Sequence, residues 1–135
     1  MLTNRLIVEL TAESEFENIS LSIRDRSDTL VDRKMFERKT ESFTFEISFP
    51  NVLYINIHDN RANMPMVELS RLNLIGLDLP NRLLDQVCHF KPQGSDNEII
   101  TRKFHSAGLA WIDFFAADSI QYHLLYGNKI QLDDQ

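Results

Sequence analysis

Three side chains near the C-terminus have types and a spacing that suit sugar binding. Trp111, Asp113 and Phe115 alternate with Ile112 and Phe114, and side chains two apart in a strand share one face. An aromatic ring can stack on the apolar face of a sugar, and a carboxylate can accept hydrogen bonds from its hydroxyls. The pattern therefore predicts a candidate ligand face, with Ile112 and Phe114 turned to the core. The alternative is that Trp111 and Phe115 belong to the core of a two-layer fold, where Asp113 pairs with a backbone N–H or an arginine.

A second candidate site is the segment 24–41, in which eleven of eighteen residues are charged, six basic and five acidic. One interpretation is a hairpin turn at residues 27–28, then a mixed-charge edge strand near residues 29–34 and an exposed loop. Charged side chains on an edge block unwanted strand pairing. The other interpretation is an arm that contacts neighbouring protein subunits. The cationic side chains of such an interaction arm are Arg24, Arg26, Arg33, Lys34, Arg38 and Lys39.

Oxygen-bearing side chains cluster in two predicted loops. Residues 58–60 with Asn63 could hold Ca²⁺, and residues 96–98 are similar, but their spacing matches no EF-hand loop and Asp and Asn are ordinary turn residues. No pair of histidines has the i, i+4 spacing of a helical zinc motif. The four histidines are His58, His89, His105 and His123. We therefore expect no metal site and no cofactor.

The sequence contains no motif of a familiar catalytic class. The G-x-S-x-G, P-loop and G-x-G-x-x-G patterns are missing, and Cys88 is the single cysteine, so no internal disulfide can form. Cys88 falls on the apolar side of a predicted helix, which favours a buried small side chain over a nucleophile. A non-catalytic protein is expected. A small hydrolase or lyase that combines histidine and carboxylate side chains is the last alternative.

The length and the charge of the chain indicate one acidic globular domain over residues 1–135. Of the residues, 43% are hydrophobic and 25% charged, with 20 acidic and 14 basic side chains and a net charge of −6. This balance is typical of a globular domain and argues against nucleic acid and anionic membranes as partners. No segment approaches the ~18 apolar residues that span a membrane. Glu9 interrupts the first apolar run, so no signal peptide is predicted, and a cytoplasmic location or assembly into a virion is expected.

The elements that must position these residues are mostly strands. Alternation is clearest in residues 42–49 and 52–58, which the break at Pro50 and Asn51 would join as an antiparallel hairpin. Further strands are predicted over residues 5–11, 16–24, 66–79 with a bulge at Gly76, 99–105, 109–115 and 129–132. Helices are predicted over residues 82–89, capped by Asn81, and from Asp118 to Gly127. Seven or eight short strands with two short helices predict an antiparallel β-sandwich, with an open sheet covered by the two helices as the alternative.

The short alternating strands, the acid-and-aromatic strand near the C-terminus and the lack of catalytic motifs resemble small β-sandwich carbohydrate-binding modules. They resemble small accessory proteins of virus particles equally, and the likeness covers no specific motif. The leading interpretation is a non-catalytic assembly protein, most concretely a bacteriophage-type virion component (capsid decoration, neck or tail). Its partners would be other protein subunits, in a homo-oligomer or a larger assembly. The alternative is a carbohydrate-binding module, Ca²⁺-dependent or not, that uses Trp111, Asp113 and Phe115 or the loop 59–63.

Overall fold

The computed structural model describes residues 5–48, 51–59, 61, 64–74 and 76–114, and within them the chain is mainly β. Two antiparallel sheets form a sandwich-like fold, as predicted. The described residues form eleven strands and one α-helix, against the seven or eight strands and two helices expected. No helix in these ranges is long and apolar enough to cross a membrane.

The strands are mostly short and follow one another with brief connections. In chain order they are β1 (Arg5–Ala12), β2 (Ser20–Arg24), β3 (Thr29–Met35), β4 (Thr40–Glu46), β5 (Val52–His58), β6 (Val67–Leu74), β7 (Leu77–Asp78), β8 (Cys88–Pro92), β9 (Ile99–Ile100), β10 (Lys103–Phe104) and β11 (Gly108–Asp113). A 3-10 turn (Phe16–Asn18) precedes β2, and helix α1 (Asn81–Val87) precedes β8.

The strands are divided between two sheets, which we call sheet A and sheet B. Sheet A has the order β10-β6-β1-β4, with β7 also paired to β6. Sheet B has the order β3-β2-β5-β11-β8-β9. Alternate residues of most strands fill one shared core, because successive side chains point to opposite faces of a sheet. In β5 and β11 the fully buried residues are Leu53, Ile55, Ile57, Ala110 and Ile112, so the residues between them face outward from sheet B.

The predicted hairpin between residues 42–49 and 52–58 is wrong. β4 pairs with β1 in sheet A, whereas β5 pairs with β2 and β11 in sheet B. Phe43, Phe45 and Ile47 pack against the same core as the apolar residues of β5. The connection therefore crosses from one sheet to the other. Two strands joined as a hairpin in one sheet and two strands joined across a pair of sheets show the same alternation of apolar residues. The short break at Pro50 therefore did not distinguish the two arrangements.

Two predicted elements have different boundaries. Leu74 pairs with Leu77, so residues 66–79 form a tight hairpin rather than one bulged strand. Gly76 lies at its turn with φ +81°, a conformation that glycine adopts without a steric cost. Helix α1 begins at Asn81, which is its first residue and not its cap, and ends at Val87. Cys88 therefore starts β8, and the predicted helix over residues 82–89 ended two residues too late.

The predicted strand over residues 99–105 is two short strands in different sheets. β9 pairs with β8 in sheet B, and β10 pairs with β6 in sheet A. Thr101 lies between them, and its backbone N–H donates to the carbonyl of Cys88 at 2.9 Å. The predicted helix over residues 118–127 and the predicted strand over residues 129–132 lie outside the described residues.

Gly108 fixes how closely β11 approaches β8. It is buried and pairs with Pro92, and a Cβ there would overlap the carbonyl oxygen of Lys91 and lie 2.9 Å from the Phe90 ring. We expect Gly108→Ala to lower the free energy of unfolding by about 3 kcal/mol, because neither neighbour can yield without shifting the sheet or the core. Chemical denaturation measures the loss. At Gly94 a Cβ meets nothing within 4 Å. Gly94→Ala should therefore lower the free energy of unfolding by only about 1 kcal/mol, the cost of a side chain on a left-handed backbone. An equal loss in the two variants would contradict the prediction.

Candidate functional site

A row of four large side chains crosses the outer face of sheet B. Arg24 pairs with Tyr54, Tyr54 with Trp111, and Trp111 with His89. Residues paired across neighbouring strands put their side chains on the same face of the sheet. All four alternate with core residues and are exposed or half-buried. We call this set, Arg24, Tyr54, Trp111 and His89, the aromatic row.

The aromatic row consists of two stacked pairs. The guanidinium carbon of Arg24 lies 4.0 Å from the centre of the Tyr54 ring, which is within the range of a cation–π interaction. The rings of His89 and Trp111 have centroids 5.4 Å apart and planes 11° from parallel. Glu98 Oε2 lies 3.3 Å from His89 Nδ1, but the two are not aligned as a hydrogen bond. Each ring therefore has a neighbour that limits its orientation before any ligand arrives.

Smaller side chains form a groove beside the aromatic row. Ser22 pairs with Asn56, Asn56 with Leu109, and Leu109 with Lys91, each two residues along its strand from a member of the row. We call the groove lined by Ser22, Asn56, Leu109 and Lys91 the cross-strand groove. Two depressions meet along it, of about 210 Å³ and 610 Å³, and both are lined by Asn56 and Leu109. Tyr54 lines the smaller one, so the row borders the groove directly.

The groove continues towards the end of β5. His58 lines the 610 Å³ depression and also a third one of about 490 Å³, which Ser20, Arg33 and Arg61 help to line. The ring of His58 lies 3.5 Å from the hydroxyl of Ser22. Burial and, to a lesser degree, the charge of Arg33 lower the pKa of His58 below its ordinary value. The ring is therefore mostly neutral at pH 7, and it can exchange hydrogen bonds with a ligand as a donor or an acceptor.

The residues of the predicted ligand face are only partly described. Trp111 and Asp113 are half-buried on the outer face of sheet B, whereas Ile112 and Phe114 are buried in the core. Trp111 therefore lies outside the layer between the two sheets. Phe115, the third predicted member, lies outside the described residues.

The charged segment 24–41 forms a hairpin whose second strand is at an edge of sheet B, as one of the two interpretations predicted. Its cations are not gathered in one patch. Arg24 and Arg33 line the groove, whereas Lys34 forms an ion pair with Glu37 at 2.8 Å. Arg26, Arg38 and Lys39 lie in exposed connections. A role of these side chains as an arm that contacts other subunits stays a prediction.

In the loop that was weighed as a Ca²⁺ site, the carboxylate of Asp59 is paired with an arginine. Both oxygens of Asp59 accept hydrogen bonds from the guanidinium of Arg61, at 2.7 to 3.1 Å. Asn60 and Asn63 lie outside the described residues. Within the ranges that are described, no three His, Cys, Asp or Glu side chains could hold a metal ion together. Cys88 is fully buried, and burial raises the pKa of its thiol to about 12, which does not suit a nucleophile at neutral pH.

Sequence reasoning missed most of the aromatic row and the groove. Tyr54, Asn56 and His58 alternate with the apolar residues of β5, so their shared outward face could have been read from the sequence. His89 could not, because it was assigned to a helix. That Tyr54 lies beside Trp111 depends on pairing between strands more than fifty residues apart, and local patterns do not show such pairing.

Comparisons with known proteins give a fold and no family. No family model and no curated protein matches the chain. A solved structure of vCBM60, from a study of two families of calcium-dependent carbohydrate-binding modules, superposes with a TM-score of 0.58 at 10% identity. The match covers 82% of this chain and 91% of that one, and it shows a shared fold.

Two structures of C2 domains also match, with much weaker superpositions. A single C2 domain of plant extended synaptotagmin 1 gives a TM-score of 0.33 at 13% identity over 82% of this chain and 94% of that one. A tandem pair of C2 domains from extended synaptotagmin 2 gives 0.31 at 15% identity over 82% of this chain and 40% of that one. TM-scores this low do not establish a shared fold. None of the comparisons supports the virion interpretation.

Proposed function

We propose that this chain is a non-catalytic glycan-binding module that takes an oligosaccharide or polysaccharide on the outer face of sheet B. The observation that carries the proposal is the aromatic row, which borders the cross-strand groove on a partly exposed sheet surface. The fold shared with vCBM60, described as belonging to carbohydrate-binding modules, supports it.

The chemistry of this face suits a sugar better than an apolar ligand. A pyranose ring presents C–H groups on its faces and hydroxyls around its edge. Arg24 covers one face of Tyr54 and His89 covers one face of Trp111, and the remaining exposed surface of each ring can pack against the faces of a sugar. Asn56, with an amide that both donates and accepts, and Ser22, with a hydroxyl, line the neighbouring groove and can bind the edge hydroxyls. Because the groove runs across several strands, it suits an extended chain rather than a single sugar.

Calcium has no evident place in this binding mode. The carboxylates that line the three depressions, Asp32, Asp59 and Asp96, each line a different one, and calcium prefers several carboxylate and carbonyl oxygens together. Among the described residues, the Asp59 carboxylate is already engaged by Arg61, and no cluster of three acidic, His or Cys side chains occurs. The proposal therefore differs from the calcium dependence stated for the families of vCBM60.

Trp111 provides the direct test, because it is the single tryptophan of the chain and it lies in the proposed site. A panel of soluble polysaccharides is titrated while Trp emission is recorded, and hits are measured by calorimetry with and without EDTA. We expect at least one glycan to shift the emission and to bind equally well in EDTA. If no glycan binds, the proposal is wrong. If EDTA abolishes binding, the site is not the cross-strand groove.

A further inference from the structure

The charge around the groove has the opposite sign to the charge of the chain. The full sequence carries −6. The three depressions are lined by four cationic side chains and three carboxylates. These cations are Arg24, Arg33, Arg61 and Lys91, and the acids are Asp32, Asp59 and Asp96. The lining therefore carries one more positive than negative charge in an acidic protein, which favours an anionic ligand.

Three of the four cations are available to a ligand. Arg61 is held by Asp59 and Glu15. Arg24, Arg33 and Lys91 form no ion pair with an acidic side chain within the described part of the chain. Arg24 uses its flat face on Tyr54, which leaves the N–H groups at its edge able to donate to a carboxylate. Lys91 is exposed on β8.

The cations are spread along the groove rather than gathered at one point. Arg24 lies on β2 and Lys91 on β8, three strand spacings apart in sheet B, or about 14 Å. Arg33 lies on the edge strand β3. Of the unpaired carboxylates, Asp32 lies on the same edge strand and Asp96 lies in the loop after β8, so they are at the two ends of the groove. A single small anion could not contact cations so far apart, but a polymer with repeated negative groups could.

We infer that the glycan bound by the cross-strand groove is a polyuronate, a polysaccharide whose repeated carboxylates pair with Arg24, Arg33 and Lys91. This inference rests on the proposed function and adds the charge of the ligand to it. The aromatic row would stack on the sugar rings while the three cations select the acidic polymer over its neutral counterpart. Ion pairs formed at an exposed face are weakened by salt, so this selection has a characteristic dependence on ionic strength.

The test compares two polymers that differ only in charge. Polygalacturonate and its carboxyl-reduced form, in which each carboxylate becomes a CH₂OH group, are titrated by calorimetry at low and high NaCl. We expect polygalacturonate to bind roughly tenfold tighter at low salt, with the difference shrinking at high salt. Lys91→Gln and Arg24→Gln should each weaken binding of the acidic polymer about fivefold more than binding of the reduced polymer. Lys103→Gln, at an exposed position of β10 in sheet A, is the matched control and should change neither.

The outcomes separate this inference from the proposed function. Equal affinity for the acidic and reduced polymers, with a shift in Trp111 emission for both, would overturn the polyuronate assignment and leave glycan binding standing. Failure of the chain to bind either polymer or any neutral glycan would overturn both. Tighter binding to phosphatidylserine vesicles than to polygalacturonate would also overturn the assignment, since the cations would then serve a lipid surface.

Discussion

Trp111→Ala is expected to weaken glycan binding by about 30-fold or more while the protein stays folded. Buried aromatic residues at the centre of a binding surface typically contribute about 2 kcal/mol or more when truncated. Here the loss has two sources. The variant removes the largest stacking surface of the aromatic row, and it removes the ring against which His89 is stacked. Calorimetry measures the affinity, because the variant has no tryptophan left to report binding by fluorescence.

Two further variants make this result specific to the site. Trp111→Phe keeps a flat ring and should retain part of the affinity. Ile99→Ala truncates another large apolar side chain, 48% exposed on β9, which pairs with inward-facing Phe90 and lies off the groove; its affinity should match that of the unaltered protein. Thermal unfolding of each variant shows whether the fold is kept. Unchanged affinity in a folded Trp111→Ala variant would place the binding surface elsewhere.

The sequence was sufficient for the class of fold because each strand carries its own signal. Leu6, Val8 and Leu10 in β1 are all fully buried, and the alternating Phe43 and Phe45 in β4 pack against the same core. What alternation cannot show is the strand with which each strand pairs. β4 and β5 are neighbours in the sequence and lie in opposite sheets. Their alternation does not reveal this, because each strand would bury its apolar face in the same core whether the two were paired in one sheet or lay in two.

The candidate site was predictable only in part, for the same reason. That Trp111 and Asp113 share one face followed from spacing alone. That this face is the outer one did not follow, because the sequence left open a core position for Trp111. The two stacked pairs depend on the register between strands, which sets Tyr54 beside Trp111 and Trp111 beside His89. The start of β8 was hidden because Leu83, Leu84 and Val87 have a helical spacing, and that spacing runs on through Cys88 without a stop signal.

Asn51 lies at the centre of a buried polar network. From the sequence it was expected to be an ordinary turn residue. It is 4% exposed. Its side-chain oxygen accepts hydrogen bonds from the backbone N–H groups of Arg26 and Val52, at 3.1 and 2.8 Å. Its amide nitrogen donates to the carboxylate of Asp25 and to the carbonyl of Ser48, at 3.3 and 3.0 Å. The network therefore ties the β2–β3 turn to the point where the chain crosses from sheet A to sheet B.

Asp25 adds a pH dependence to this network. Its burial raises the pKa of the carboxyl, but hydrogen bonds from the N–H groups of Asp28 and Ser27 and from Asn51 outweigh that effect, so the pKa lies below its ordinary value. A carboxyl with a lowered pKa in the folded state stabilises the fold above its unfolded pKa. That contribution is lost as the pH falls through the folded pKa.

Asn51→Ala is expected to lower the free energy of unfolding by about 4 kcal/mol, because it removes four hydrogen bonds and leaves buried groups without a partner. The loss should be largest near neutral pH and smaller at acid pH, where Asp25 is protonated and the unaltered protein has already lost part of the same network. Urea denaturation at several pH values measures both effects. Asn56→Ala, at an exposed position of β5, is the control and should cost less than about 0.5 kcal/mol. A loss at Asn51 as small as that of the control, or one that does not vary with pH, would show that the crossing between the sheets is held by backbone pairing and core packing instead.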